Sequence, residues 1–416
     1  MQKHSEVLII GGGIIGLACA YYLAAEGYQV RILEQDQVGC GASHGNCGLI
    51  IISNLMPLCA PGVMKHELKR VFRRSSPLYI KPSLDMQQWA WLLNFAARCT
   101  TGHMEHAVQA RHRTLQFSNR LYEAFFEKEQ IHCDWQRQGA LLVYQSEAAM
   151  QRYDRSFAYL ERFGMEAKPY VGDALYKLEP ALREDVYGGW YHPFDSHLRP
   201  DLLLREWQKV LIRNGVEIVE DCRVKHLHPA GNRIRHAEST RGVFNADTFI
   251  LAAGAWTPGI TARLKLKLPV QPAKGYSITM ARPAVCPKIP CLFEEKSVVA
   301  TPWKSGFRLG GTMEFSGFNT RIIAKRIRNL KAAARQYLKE PLGQPVLEEW
   351  VGLRPMLYDD LPVIDSAPGR RNLFVATGHG MMGISLAPAT GKLISELVAG
   401  RDPSIDVSPF SLNRFQ

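Results

Sequence analysis

What the sequence lacks narrows its function first. Nine cysteines, at 19, 40, 47, 59, 99, 133, 222, 286 and 291, form no CxxC pair, and their number is odd. That spacing speaks against a zinc site, an iron–sulfur cluster and a disulfide framework, and leaves most of them as buried thiols. No uninterrupted apolar run is long enough to span a bilayer. No internal repeat or low-complexity segment is present. The N-terminal MQKHSEVLII has no cleavable secretory pattern, so a cytoplasmic location is expected. Acidic residues are in deficit, 39 against 51 Lys and Arg, for a formal charge of +12. A basic surface favours anionic partners such as phospholipid headgroups, nucleic acid or an acidic protein. No compact nucleic-acid-binding module is visible, so nucleic acid is not expected as a partner.

What is there is ordinary globular material. Of 416 residues, 46% are hydrophobic and 22% charged, enough for a large core and two or more lobes. Glu6–Ile10 (EVLII) reads as a buried strand, Leu17–Glu26 as a helix ended by Gly27, and Gln29–Leu33 as a second strand. Residues 85–163 read as mostly helical, with a short strand near Ala140–Tyr144. Asp201–Asn214 is a helix candidate, followed by the strand Val216–Val219. Alternation over 269–315 predicts an antiparallel sheet. Arg321–Lys339 predicts an amphipathic helix with Ile323, Ile327, Leu330 and Ala334 on one face. The chain closes with a strand at Leu373–Thr377 and a helix from about Ile384 to Val398.

Between the first strand and the first helix lies GxGxxG, formed by Gly11, Gly13 and Gly16. The first glycine permits the tight turn, the second lets backbone approach a pyrophosphate, and the third lets helix and strand pack closely. The helix N-terminus then offers N–H groups and a positive dipole end to the phosphates. Glu34 follows Gly16 by 18 residues and ends the second strand. A carboxylate there accepts from both ribose hydroxyls and repels a 2′-phosphate, which argues against NADP. Two later segments favour FAD over NAD. Thr248–Trp256 (TFILAAGAW) is a strand ending in a Gly turn, expected to lie beside the first strand. GHGMMGIS puts a second helix N-terminus late in the chain, where its dipole would stabilise negative charge on a reduced flavin.

With these segments in view, the chain resembles the D-amino-acid oxidase superfamily of FAD-dependent oxidoreductases, and within it the bacterial D-amino acid dehydrogenases. The resemblance runs through VLIIGGGIIGLACAYYLAAEGYQVRILEQ, GASHGNCGLI, APGVMKHELKRVFRRSSPLYIKP, PAKGYSITM, RLGGTMEFSGFN, GLRPMLYDDLPVI and GHGMMGISLAPATGKLISEL. It implies an α/β plus α+β architecture. A two-dinucleotide-binding, Rossmann-like FAD domain would come from 1–54, 195–262 and 346–416. An interleaved substrate domain, an antiparallel sheet with helices, would come from 55–194 and 263–345. It further implies that Gly11, Gly13, Ile14, Ile15, Gly16, Glu34 and Gln35 hold the ADP half of FAD. Ser43, Asn46, Gly48 and Leu49 would lie along the ribityl chain and flavin ring. Val224 would meet the adenine side, and Ala253, Gly254 and Trp256 would close the site. Gly378, Gly380, Met381, Met382, Gly383, Ile384 and Ser385 would cover the pyrimidine edge.

In the same resemblance Arg354, in GLRP, holds the substrate carboxylate. A guanidinium is suited to this as a planar bidentate clamp. Tyr276, in KGYS, is a candidate second contact or a core tyrosine. His379 is the nearest acid–base candidate by motif, with loop positioning as the other reading. FAD is expected to be non-covalent, although His44 and Cys47 stand where some relatives tether flavin. The implied reaction is hydride transfer from the Cα of a small D-amino acid, D-proline and hydroxyproline included, to flavin N5. The imino acid then hydrolyses to a 2-oxo acid. A glycine- or sarcosine-type amine oxidase and an electron-transfer subunit are the alternatives. The implied acceptor is a quinone or respiratory-chain carrier. Lys65, Lys69, Arg70, Arg73 and Arg74, followed by Leu78, Tyr79, Ile80, Trp89, Trp91 and Phe95, read either as a membrane-surface segment or as a basic helix beside core aromatics.

Overall fold

The computed structural model describes residues 3–63 and 76–415. Two sheets organise them. The first has eight strands. At its centre Lys3–Ile10 runs parallel to Val30–Leu33 on one side and to Gly242–Leu251 on the other. Glu217–Val219 and Leu373–Thr377 extend this parallel core outward. Parallel strands buried on both faces need continuous apolar sequence, and VLII and TFIL supply it. Val224–Ala230 and Arg233–Ser239 add an antiparallel arm, and Val363–Ser366 pairs antiparallel with Leu373–Thr377.

The helix Ile14–Ala25 is buried nearly all round, because it lies between this sheet and the helices Pro200–Arg213 and Gly383–Val398. Its small residues permit that. A Cβ on Gly391 would stand 2.5 Å from the Ala18 carbonyl, so the two helices touch at backbone distance.

The second sheet has nine strands. Its order runs from Val346–Met356 through Gln271–Met280, Gly306–Phe315, Val298–Trp303, Cys291–Phe293, Ala140–Tyr144 and Gly188–His192 to Lys168–Val171. Most pairs are antiparallel. Cys291–Phe293 pairs parallel with Ala140–Tyr144, and Leu78–Ile80 pairs parallel with Gly306–Phe315. One face packs under the helix Ala324–Tyr337, burying Ile278, Phe293, Ile327, Leu330 and Ala334.

Two expectations need correction, and a third reading left open is decided. Val346–Met356 belongs to the second sheet through its pairing with Gln271–Met280, not to the dinucleotide lobe. Ile323 is not on the buried helix face; it precedes the helix in extended backbone and is partly exposed. Tyr79, Ile80 and Trp91 are core residues, Trp91 stacking on Phe95 and packing at a tilt against Phe315. The basic cluster at 65–74 lies outside the described residues. The helix Met86–Arg98 nevertheless presents an apolar face to solvent. Leu84, Met86 and Leu93 are 98%, 77% and 71% exposed, with Trp89 beside them. Among the described residues no helix is long and apolar enough to cross a membrane.

Candidate active site

A cavity of about 800 Å³ runs between the two sheets. One end lies at the GxGxxG turn. Gly11 adopts φ +110°, and a Cβ there would sit 2.5 Å from the Ala252 carbonyl oxygen. A Cβ on Gly16 would fall 1.9 Å from the Gly11 carbonyl oxygen, so the turn exists only with glycine at both positions. Gly13 is different. A Cβ there would meet only the Ser43 hydroxyl at 3.5 Å, which leaves the helix N-terminus open toward the cavity. The Ser43 hydroxyl accepts from the Ile14 N–H at 3.1 Å. Glu34 lines the same end and accepts from the N–H groups of Gly12 (2.6 Å) and Asp36 (3.1 Å). Burial pushes its carboxyl up, and those backbone donors pull it back down. Gln35 and Val224 complete this end.

The loop after Glu34 crosses to the second sheet. Arg308, buried there, donates to the carbonyls of His44 (2.8 Å) and Asn46 (2.7 Å) and to the Thr279 hydroxyl (2.9 Å). It thereby fixes the wall that carries Ser43, Asn46, Cys47 and Leu49. The other wall is the helix Gly383–Val398. No side chain caps its N-terminus, and Gly380, Met381, Met382, Gly383, Ile384 and Ser385 face the cavity. Ser385 ties the walls together, accepting from the Ile51 N–H and donating to the Leu49 carbonyl, both at 3.2 Å. Ala253, Gly254 and Trp256 line the rim.

At the far end Arg354 reaches over the second sheet. Its guanidinium lies flat on Gly275, where a Cβ would be 2.3 Å from Nη1. Nη1 donates to the Thr312 carbonyl at 2.8 Å. Thr312 sits at φ +68° beside a bulge in the pairing of Lys274 and Tyr276, which turns that carbonyl toward the arginine. No carboxylate pairs with Arg354 among the described residues, and burial disfavours its charge. It is a half-buried cation with free donors, facing the cavity.

Of the residues singled out from sequence, most line this one cavity. Gly16, Gly48 and Gly378 do not. Their missing side chains instead make room for the Gly11 carbonyl, the Leu198 carbonyl and the Leu357 side chain. Tyr276 borders the cavity through its strand, but its ring lies in the core beneath with Ile278 and Met280, its hydroxyl 3.4 Å from Glu314. Alternation along the strand explains this, since Gly275 faces Arg354 and Tyr276 must then face away. His379 Nε2 lies 2.9 Å from the Thr390 hydroxyl, and burial pushes its pKa down to about 3. The His44 ring is engaged with Glu348 at 2.9 Å, whereas Cys47 faces the cavity and burial pushes its thiol up.

Arg308 and Trp350 were not anticipated. Trp350 lines the cavity and fits because residues 45 and 352 are glycines; a Cβ on either would come within 2.0 Å of the indole. Isolated in sequence, neither glycine signals an indole slot.

A cavity that begins at a glycine-rich helix terminus beside a ribose-type carboxylate, and ends at an uncompensated arginine between two sheets, defines a dinucleotide-dependent oxidoreductase. Comparison with known proteins identifies which. The family described as FAD dependent oxidoreductase (DAO) matches residues 6–397, and the chain belongs to it. It is 30% identical over 420 residues to a D-amino acid dehydrogenase of Vibrio atlanticus, covering 99% of this chain and 100% of that protein. It is 28% identical to one of Neisseria gonorrhoeae, with 99% of each chain covered. Its fold matches crystalline glycine oxidase from Geobacillus kaustophilus with a TM-score of 0.80 at 24% identity, covering 99% of each chain. The protein is therefore an FAD-dependent oxidoreductase of mixed α/β architecture. The cavity fits that cofactor: the opening above Gly13, the acid at Glu34 and the second helix terminus at Gly383 are what a dinucleotide with a flavin ring requires.

Proposed function

We propose that the protein oxidises D-amino acids at Cα, with Arg354 holding the substrate carboxylate. The observation that carries this reading is the guanidinium, unpaired with any carboxylate among the described residues, at the far end of the cavity that begins at the dinucleotide cradle. The D-amino acid dehydrogenases it resembles along their whole length support the same substrate class. When bound, FAD supplies the hydride acceptor.

Gly11, Gly13, Ile14, Ile15 and Glu34 would hold its ADP half, Ser43, Asn46 and Leu49 its middle, and Met381 to Ser385 its ring edge. Arg354 orients the substrate by two parallel N–H···O bonds, which presents one Cα–H to one face of the site. The amine must be neutral when the C–H bond breaks, because its lone pair stabilises the developing iminium. No side chain is required to take that proton in the step itself. His379, neutral and bonded to Thr390, positions the turn before the helix Gly383–Val398. The imino acid hydrolyses in water to a 2-oxo acid and ammonia.

The electrons pass to a quinone-type acceptor at a membrane surface, a reading supported by the exposed apolar face of Leu84, Met86, Trp89 and Leu93. The test is steady-state turnover of the flavin-loaded protein with D- and L-alanine, assaying pyruvate, oxygen uptake and reduction of a soluble quinone. Pyruvate from the D-isomer, coupled to quinone reduction and not to oxygen uptake, is expected. Turnover of the L-isomer alone, or peroxide as the sole reduced product, would overturn the substrate or the acceptor assignment respectively.

A further inference from the structure

Alternation along two paired strands sets the cavity face of the second sheet around Arg354. Ala273, Gly275 and Ser277 stand opposite Arg354, Gly352 and Trp350 respectively, so all six share one face. Arg354 leans along that face onto Gly275, where a Cβ would be 2.3 Å from Nη1. Trp350 leans in from the other side onto Gly352, where a Cβ would be 2.0 Å from Cη2 of the indole. Gly275 and Gly352 are directly paired. Cβ atoms on such a pair stand about 4.5–5.5 Å apart. Here both are missing, and a guanidinium and an indole edge occupy their places.

The indole is also held by the loop after Glu34, since a Cβ on Gly45 would fall 1.9 Å from its Cε3. It is half-buried and lines the cavity. It makes no stacking contact with the guanidinium, so the two groups border the cavity side by side.

Beyond the indole the same row of the sheet stays apolar toward the cavity. Trp350 pairs with Ser277, Ser277 with Gly310, Gly310 with Val299, and Val299 with Leu292. Ser277 is buried. The Cys47 Sγ covers Gly310, where a Cβ would be 2.3 Å away. Val299 and, farther along, Leu292 line the cavity. Among the described residues the charged groups that line the cavity, Arg354 apart, are Glu34, Asp36, Arg223 and Lys225, all at the dinucleotide end with His226. His379 is neutral.

An amino acid held by its carboxylate on Arg354 therefore has that one charge matched at this end. A side chain laid against the indole gains by leaving water. A second charge there would lose its hydration and meet no partner.

We propose that Trp350 forms the wall of a side-chain subsite beside the carboxylate clamp, selecting D-amino acids with apolar side chains of leucine size or larger and rejecting those with a second charge. The inference rests on Arg354 as that clamp and narrows the substrate class of the same site. Trp350 acts on specificity and takes no part in breaking the C–H bond.

The flavin-loaded protein tests this with D-leucine, its near-isostere D-aspartate, and D-alanine. The wild type is expected to show kcat/KM at least about 30-fold higher for D-leucine than for either of the others, chiefly through KM, the scale on which an apolar pocket discriminates. Trp350→Ala is expected to lower the ratio of D-leucine to D-alanine at least about tenfold, and Trp350→Phe to restore most of it. The flavin absorbance spectrum checks that each variant is loaded. A second readout needs no turnover and no variant. Calorimetry should show 4-methylpentanoate, which is leucine without its amine, binding the wild type at least about tenfold tighter than succinate, which is aspartate without its amine.

D-Aspartate or D-alanine used as well as D-leucine by the wild type, equal binding of the two acids, or an unchanged ratio in flavin-loaded Trp350→Ala overturns the subsite while leaving D-amino acid oxidation intact. Failure of every D-amino acid, D-alanine included, overturns the underlying reading instead.

Discussion

Arg354 is legible in the sequence only as part of GLRP; its role depends on what surrounds it. The guanidinium is flat against Gly275, and that glycine has no other visible purpose. Gly275→Ala should therefore act as an arginine variant does. Its methyl would occupy the guanidinium's place, and steady-state kinetics should show kcat/KM falling at least about 100-fold, or about 3 kcal/mol, the scale of hydrogen bonds to a charged group. Arg354→Lys should lose a similar amount, since one ammonium cannot replace a planar pair of donors. Full activity in Gly275→Ala would mean that the arginine does not work from this position.

Trp350 and Arg308 escaped sequence reading for the same reason that Gly275 is informative here. Each is defined by a neighbour remote in the chain: Gly45 for Trp350, the His44 and Asn46 carbonyls for Arg308. Tyr276 was ambiguous until strand alternation against Gly275 placed its ring in the core.

Among the elements, those set by local pattern were read well. Ala140–Tyr144 and Leu373–Thr377 have the limits expected, the helix Pro200–Arg213 differs from expectation by one residue at each end, and the helix Gly383–Val398 begins one residue early and ends where expected. Apolar periodicity and Gly punctuation carry that information. Pairing across long separations does not appear in such patterns. The parallel contact between Cys291–Phe293 and Ala140–Tyr144, and the place of Val346–Met356 in the second sheet, follow from partners far away in the chain. The βαβ turn is the element on which the cofactor site depends most. Gly16→Val would drive a side chain into the Gly11 carbonyl, 1.9 Å from its Cβ. Overpacking at such a contact costs about 1–3 kcal/mol even where the surroundings give, and backbone gives little. The variant should be recovered without flavin, or with a melting temperature well below the wild type's, by absorbance and thermal denaturation. Wild-type flavin content and melting temperature would contradict the placement of the cradle.

For the molecule as a whole, acid should be destabilising above pH 4. Burial holds His192 and His197 near pKa 4 and His379 near 3, all below the ordinary imidazole value of 6.5. As pH falls from about 6.5 the unfolded chain takes up these protons and the folded chain does not, so stability is lost, by at most about 1.4 kcal/mol per pH unit for each group. Asp195, buried against Ser53 with its carboxyl pushed up to about 7, works the other way, since its folded form is already protonated. Burial raises Glu34, Glu179 and Glu294 in the same sense as Asp195, but it also lowers His103, His112 and His236; six lowered imidazoles face four raised carboxyls, and the melting temperature should drop from about pH 6.5 to pH 5. A flat or rising profile would show that these imidazoles are hydrated or paired.

The account turns on a cavity that holds FAD at one end and an amino acid carboxylate on Arg354 at the other. Anaerobic absorbance spectroscopy of the purified protein, wild type and Arg354→Leu, addresses both ends at once. The prediction is one FAD per chain in each, with the oxidised-flavin band lost on adding a D-amino acid to the wild type, kept with the L-enantiomer, and kept in Arg354→Leu under the same conditions. Protein that cannot be loaded with FAD, or an Arg354→Leu variant bleached as fast as the wild type, would contradict it.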